Sequence, residues 1–228
     1  MSIVGFLGFV VAVSLSGSPS GAESPVHMDF DSFEVDAPPP GFTTALSGGG
    51  GAAAWVVRDD ASAPSGRKTL VQTSTEPTSH RFPLCIYDGL SVADVTVSTM
   101  FKAISGSVDQ AAGIIWRYQD PDHYYVVRAN ALEGNVVLYK MHHGKRTDLK
   151  PVDAGWLSYG KKVPVPPDHW HALRLAVRGK RLTVFVNGEH VLDVEDDTFT
   201  AAGKVGLWTK ADSVTAFDDL SISPAEAR

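Results

Sequence analysis

One stretch near the carboxyl end constrains the fold more than any other. From Trp170 to Val177 the sequence alternates with period two, placing His171, Leu173, Leu175 and Val177 on one face and Trp170, Ala172, Arg174 and Ala176 on the other. That is the pattern of a half-buried strand. Arg178-Gly179-Lys180 then turns the chain, and Leu182, Val184 and Val186 alternate again. Asn187-Gly188, a favoured two-residue hairpin turn, leads into a strand over 190–194. Three antiparallel strands in a row make a meander. Similar segments recur over 69–73, 94–102, 113–118, 124–129, 136–141, 204–209 and 214–222, and no helical stretch of any length interrupts them. Asp120-Pro121-Asp122, Glu133-Gly134-Asn135, His143-Gly144 and Gly203 supply turns. Short strands at regular spacing predict an all-β, single-domain, two-sheet antiparallel β-sandwich or jelly roll.

Composition sets the outer limits. A chain of 228 residues that is 43% hydrophobic has the apolar surface for a substantial core. Its single cysteine, Cys85, forms no internal disulfide, so packing must hold the fold and Cys85 is a buried small hydrophobe or a free thiol. The formal charge of −6, with no long basic run, argues against a nucleic-acid partner. Residues 3–15 are apolar and uncharged, and small residues follow through Ser20 and Ala22. This reads as a signal peptide over 1–22, leaving a mature domain over 23–228 that is secreted or periplasmic. The apolar run falls short of the ~20 residues a spanning helix needs, so no membrane span is expected.

Two segments invite a different reading. Gly48 to Gly51 with Ala53 fits a Gly-x-Gly-x-x-Ala fingerprint, but a strand follows where dinucleotide binding requires a helix, and the segment reads as a loop. No Gly-x-Ser-x-Gly elbow occurs, and Cys85 has no obvious histidine partner, so nucleophilic acyl chemistry lacks support.

The residues with chemical potential lie between Gly113 and Lys140. In the strand that opens at Tyr124, the residues Tyr124, Val126, Arg128 and Asn130 share a face. Pairing as a meander would bring Arg117, Arg128, Asn130 and Lys140 side by side. The last strands add Trp208 and Lys210, followed by Asp212. Guanidinium donors, an amide and aromatic rings on one sheet face suit a hydroxyl-rich ligand, because rings cover apolar C–H faces while donors fix orientation. The alternative is that these groups only solvate an exposed face through cross-strand pairs. The candidate ligand-binding set is therefore Arg117, Tyr124, Arg128, Asn130, Lys140, Trp208, Lys210 and Asp212.

Trp116-Arg117, the run YYVVRANALEGNVVLYK, the strand pair around Asn187-Gly188 and the ending GKVGLWTKADSVTAFDDL resemble the concanavalin A-like lectin and glucanase superfamily. Within it they are most similar to exported bacterial proteins of the 3-keto-disaccharide hydrolase family. The WHALRLAVRGKRLTVFVNGEHVL stretch is also similar to the laminin-G meander. The resemblance implies a jelly roll with a carbohydrate ligand on its concave sheet or loops. It leaves three activities open: glycan binding, hydrolysis of 3-keto-disaccharides and protein adhesion of the laminin-G kind. The Glu-x-Asp-x-x-Glu run of the sandwich glucanases is absent, and Glu133 beside Gly134 reads as a turn residue. A carbonyl acidifies the neighbouring C–H, so keto-sugar cleavage would need only a base and an electrophile.

No cofactor is required by this reading, and a monomer is expected. A structural Ca²⁺ is the one metal the resemblance motivates, through Asp29, Asp31, Asp218 and Asp219. The pairs His142-His143 and His169/His171 read as surface or boundary imidazoles.

Overall fold

The computed structural model describes residues 24–152 and 159–225; the expected signal peptide 1–22 lies outside them. In chain order the strands are β1 (Val26–Met28), β2 (Phe42–Gly48), β3 (Trp55–Asp59), β4 (Lys68–Gln72), β5 (Arg81–Val92) and β6 (Val95–Ser105). The middle of the chain forms β7 (Ala111–Asp120), β8 (His123–Asn130), β9 (Asn135–His142), β10 (Lys145–Leu149) and β11 (Lys161–Lys162). The remainder forms β12 (His171–Arg178), β13 (Arg181–Val186), β14 (Glu189–Glu195), β15 (Gly203–Trp208) and β16 (Val214–Pro224). Among the described residues there is no helix.

These strands form two antiparallel sheets of eight. One runs β14-β13-β12-β6-β16-β4-β3, with β1 paired to β16; the other runs β10-β9-β8-β7-β15-β5-β2, with β11 paired to β9. Neighbours such as β6 and β16, or β7 and β15, are distant in sequence, as the crossing connections of a jelly roll require. The expected β12-β13-β14 meander is present, with Leu173, Leu175, Val177, Leu182, Val184 and Val186 all at 3% exposure or less in the core between the sheets.

Alternation decides which face each residue takes. Cys85, Ala112, Ile114, Trp116, Tyr125, Val127, Ala129, Leu138 and Leu207 point from the second sheet into the intersheet core. The residues between them, including Phe82, Leu84, Ile86, Ile115, Tyr124, Val126, Val137, Tyr139, Met141 and Trp208, form a second buried cluster on the other face of that sheet. The run Tyr124-Tyr125-Val126-Val127 is therefore apolar on both sides of the sheet, unlike a strand with one solvated face. Burying each such side chain contributes about 1.5–3 kcal/mol, so both faces stabilise the sheet.

Alternation breaks at Arg117. The register between β7 and β8 shifts after Trp116, and Arg117 has a φ of 48°, in the left-handed region. This bulge re-aims the side chain. The Arg117 guanidinium donates to the carbonyls of Phe199 at 2.6 Å, Gly179 at 2.7 Å and Ala93 at 2.9 Å, and reaches Asp94 at 3.2 Å. It ties β7 to the turns of the opposite sheet.

Candidate functional site

The site builds up around Gly113. The pairings of β15, β7, β8 and β9 line up Trp208, Gly113, Arg128 and Val137 in one row across the second sheet. A Cβ on Gly113 would stand 2.8 Å from the Val127 carbonyl oxygen and 3.1 Å from the Trp208 ring. Its absence lets the indole lie over the strand. Trp208 stacks on Phe82, with centroids 5.6 Å apart and planes 17° apart. Tyr124, Val126, Tyr139, Met141 and Arg146 complete the lining of a small aromatic pocket. The Arg146 guanidinium lies over the Tyr139 ring at 4.7 Å.

Three buried polar atoms in this region make no well-formed hydrogen bond: the Tyr124 hydroxyl, Trp208 Nε1 and Ser47 Oγ. The Tyr124 hydroxyl has the other two as neighbours. Buried polar groups are normally satisfied, and here the Tyr124 hydroxyl serves Ser47 Oγ and Trp208 Nε1 as their partner beneath the sheet face.

A polar network adjoins the aromatic pocket. Arg128, 1% exposed, donates from Nε to the Tyr139 hydroxyl at 3.1 Å and from Nη1 to Asn135 Oδ1 at 3.0 Å. Its Nη2 donates to Glu133 at 2.7 Å and to the Tyr159 hydroxyl at 3.3 Å. Burial opposes the guanidinium charge, but Tyr139 and Glu133 outweigh it and hold Arg128 more firmly protonated. Burial would likewise raise Glu133; the Arg128 bond and charge, Asn135 and Lys210 bring it below the usual carboxylate range. Asn130 bridges onward, receiving the Glu133 amide at Oδ1 and donating from Nδ2 to Asp109, which also accepts from Lys210. The exposed apolar side chains Val108, Leu132 and Tyr159 belong to the same stretch of loops. Glu133 and Lys210 retain solvent access, at 37% and 17% of their side chains.

The structure brings Tyr124, Arg128, Asn130, Trp208 and Lys210 to this face. Asp212 anchors it from behind: its carboxylate accepts from the backbone N–H groups of Ser107, Val108 and Asp109. Those bonds outweigh burial and hold Asp212 down at about 2. Arg117 and Lys140 lie elsewhere. Lys140 pairs with Tyr125 in register, so it takes the opposite face from Tyr139, and bonds Asp196 at 2.8 Å and Thr198 at 2.6 Å. Glu133, Asn135, Tyr139, Tyr159, Asp109 and Phe82 join the site without having been singled out as ligand-binding residues. Pairing Asn130 with Asn135 across their hairpin would have placed Asn135 and Tyr139 on the Arg128 face. Asp109, Tyr159 and Phe82 carry no local signal of this role.

The acids expected to hold calcium gather around one turn. Asp31 accepts from the amides of Arg67 and Lys68, Asp218 from the amide of Ser65, and Asp219 from the Ser65 hydroxyl. Asp29 accepts from the Asp31 amide at 3.1 Å. Gly66, at φ 55°, has the Asp31 carboxylate where a Cβ would stand. His169 and His171 are held by the carbonyls of Pro167 and Pro166. The 48–53 segment lies between β2 and β3, where the buried Arg81 donates to the Gly51 and Ala52 carbonyls.

Together, fold and face define a jelly-roll β-sandwich whose second sheet carries an aromatic pocket bordered by an ion-paired network. The chain belongs to the 3-keto-alpha-glucoside-1,2-lyase-like domain family, whose sequence model matches residues 41–223. Among solved structures it is similar to the carbohydrate binding module CBM66 from Bacillus subtilis (18% identity, 80% of this chain and 95% of that chain, TM-score 0.58). Domain 4 of AbnA, a GH43 extracellular arabinanase from Geobacillus stearothermophilus solved with arabinotriose, is similar at 18% identity, 87% and 91% coverage and TM-score 0.54. The cellulose induced protein Cip1 is similar at 14% identity, 89% and 98% coverage and TM-score 0.57. No curated protein matches the chain.

Proposed function

We propose that this protein binds carbohydrate outside the cytoplasm, on the face of the second sheet that carries Trp208 and Arg128. The observation that carries the reading is the junction on that face of the Phe82–Trp208 stack, the half-exposed Tyr159 ring and the Arg128–Glu133–Asn130–Lys210 network. The half-exposed Tyr159 ring would meet the apolar face of a pyranose and Glu133 and Lys210 its hydroxyls, with Phe82, Trp208 and Tyr124 buried beneath as their support. The family and the sugar-binding modules among the similar structures support the same ligand class. Calorimetric titration against a panel of oligosaccharides tests it. Trp208→Ala and Arg128→Ala are expected to weaken binding at least 10-fold, and so are Lys210→Ala and Tyr159→Ala, the last at a half-exposed position that spares the fold. Unchanged affinity in all four removes the site.

A second reading is favoured by Glu133, a carboxylate held between Arg128 and Lys210. In a 3-keto-glucoside the carbonyl acidifies the C2–H. A base such as Glu133 would take that proton, Arg128 or Lys210 would stabilise the enolate, and the electron pair would expel the glycosidic oxygen from C1. This elimination needs no oxidant. Release of the leaving sugar from a 3-keto-disaccharide, abolished in Glu133→Gln, is the expected result; no turnover across a keto-sugar panel leaves binding alone.

A further inference from the structure

At the far end of β8 from Asn130 the sheet gathers three imidazoles. His123 pairs with His142 in register, and His143 follows in the turn to β10 at φ 52°. One ring nitrogen from each lies within 4.8 Å of the others, the only such group of three or more His, Cys, Asp or Glu side chains among the described residues. His123 Nε2 and His143 Nδ1 are 3.1 Å apart. Two nitrogens bound at 2.0–2.1 Å in a tetrahedral shell are ~3.3 Å apart, so this pair already has the spacing of a coordination edge. Small rotations would turn the His123 and His143 lone pairs from each other to a shared ion and bring His142 in beside them.

The surroundings prepare the same chemistry. His123 Nδ1 lies 2.9 Å and 3.1 Å from the two carboxylate oxygens of Asp120. A carboxylate at Nδ1 keeps the hydrogen there and leaves the Nε2 lone pair free, the usual outer-shell arrangement behind a metal-bound histidine. Phe199 packs edge-on against His123 and His142, at 6.2 Å and 5.5 Å, and limits their rotation.

We propose that His123, His142 and His143 form a binding site for a divalent transition-metal ion of the zinc class, oriented by Asp120 and open to water in its remaining positions. Imidazole nitrogen suits such ions, whereas oxygen ligands suit calcium and magnesium. In the metal-free state one proton joins His123 Nε2 and His143 Nδ1; the ion takes its place, and His143 carries its hydrogen on Nε2. His123 and His142 take the opposite side of the sheet from their neighbours Tyr124 and Met141 and pack with Tyr125 around Phe199, so the site is separate from the carbohydrate face.

The test is titration of the untagged, chelator-treated full chain with Zn²⁺, together with the visible absorption of its Co²⁺ adduct. One equivalent is expected to bind, with the affinity lowered at least 100-fold in His123→Ala and His143→Ala. Asp120→Asn should lower it 10- to 100-fold and His169→Ala leave it unchanged. Unaltered melting temperatures in the variants show that the fold is intact. No saturable equivalent in the parent protein, or equal binding in a His123→Ala/His143→Ala double variant, overturns the proposal.

Discussion

A single backbone angle separates two arginines of the same sheet. Arg128 keeps the alternation of β8 and faces the aromatic pocket, while Arg117, at the β7 bulge, turns away and donates to three carbonyls. Strict alternation places Arg117 beside Ile115, and no residue type in the sequence announces the bulge. Replacing Arg117 by Met leaves those carbonyls buried without a donor, and the expected loss is about 3 kcal/mol in denaturant unfolding. Carbohydrate affinity in the folded fraction should be unchanged. A binding defect without loss of stability would return Arg117 to the site. Lys140 differs for another reason: its face follows from register with Tyr125, and register is a property of the pair rather than of either strand.

At the scale of elements, the hairpins of β12, β13 and β14 are legible because one buried face imposes period two, whereas β8 is buried on both faces and shows a continuous apolar run. The Arg128 network was only half legible. Asn130 and Arg128 lie in one strand, but Asp109 reaches Asn130 from a loop 21 residues away in sequence, and Lys210 reaches Asp109 from 101 residues away. Gly113 is the element-level device that holds the two halves together. Gly113→Ala should force Trp208 off its position, lowering carbohydrate affinity several-fold and stability by about 1–3 kcal/mol. Titration and unfolding of the same sample check both. Full affinity in a destabilised variant would separate the indole from the ligand.

For the whole molecule, the acids around Ser65 set how stability responds to pH. Burial first, with a contribution from the Asp219 charge, pushes Asp218 up to about 6. A raised carboxyl binds its proton more tightly in the folded state, so its stabilisation is full below the unfolded value of ~3.9 and is lost as pH rises through about 6. Asp219→Asn removes the like charge, and asparagine tolerates the φ of 49° at this position. With a chelator present, this variant should melt above the parent protein at pH 7 and match it near pH 4. We propose that Ca²⁺ is held by the adjacent Asp218 and Asp219 together with carbonyl oxygens, since no three of the four acids bring their carboxylates together; millimolar calcium should then reverse the order at pH 7, because the variant has lost a ligand. Melting curves that ignore calcium rule the ion out.

Cys85 sits in β5 at 0% exposure, in the core between the sheets, with burial and then Asp88 pushing its thiol up. A sulfhydryl so placed is chemically silent while the two layers stay closed. With no second cysteine to react, alkylation follows one event, the parting of the layers around β5. The chain thus carries its own clock for that opening, readable by mass as a single added label per molecule.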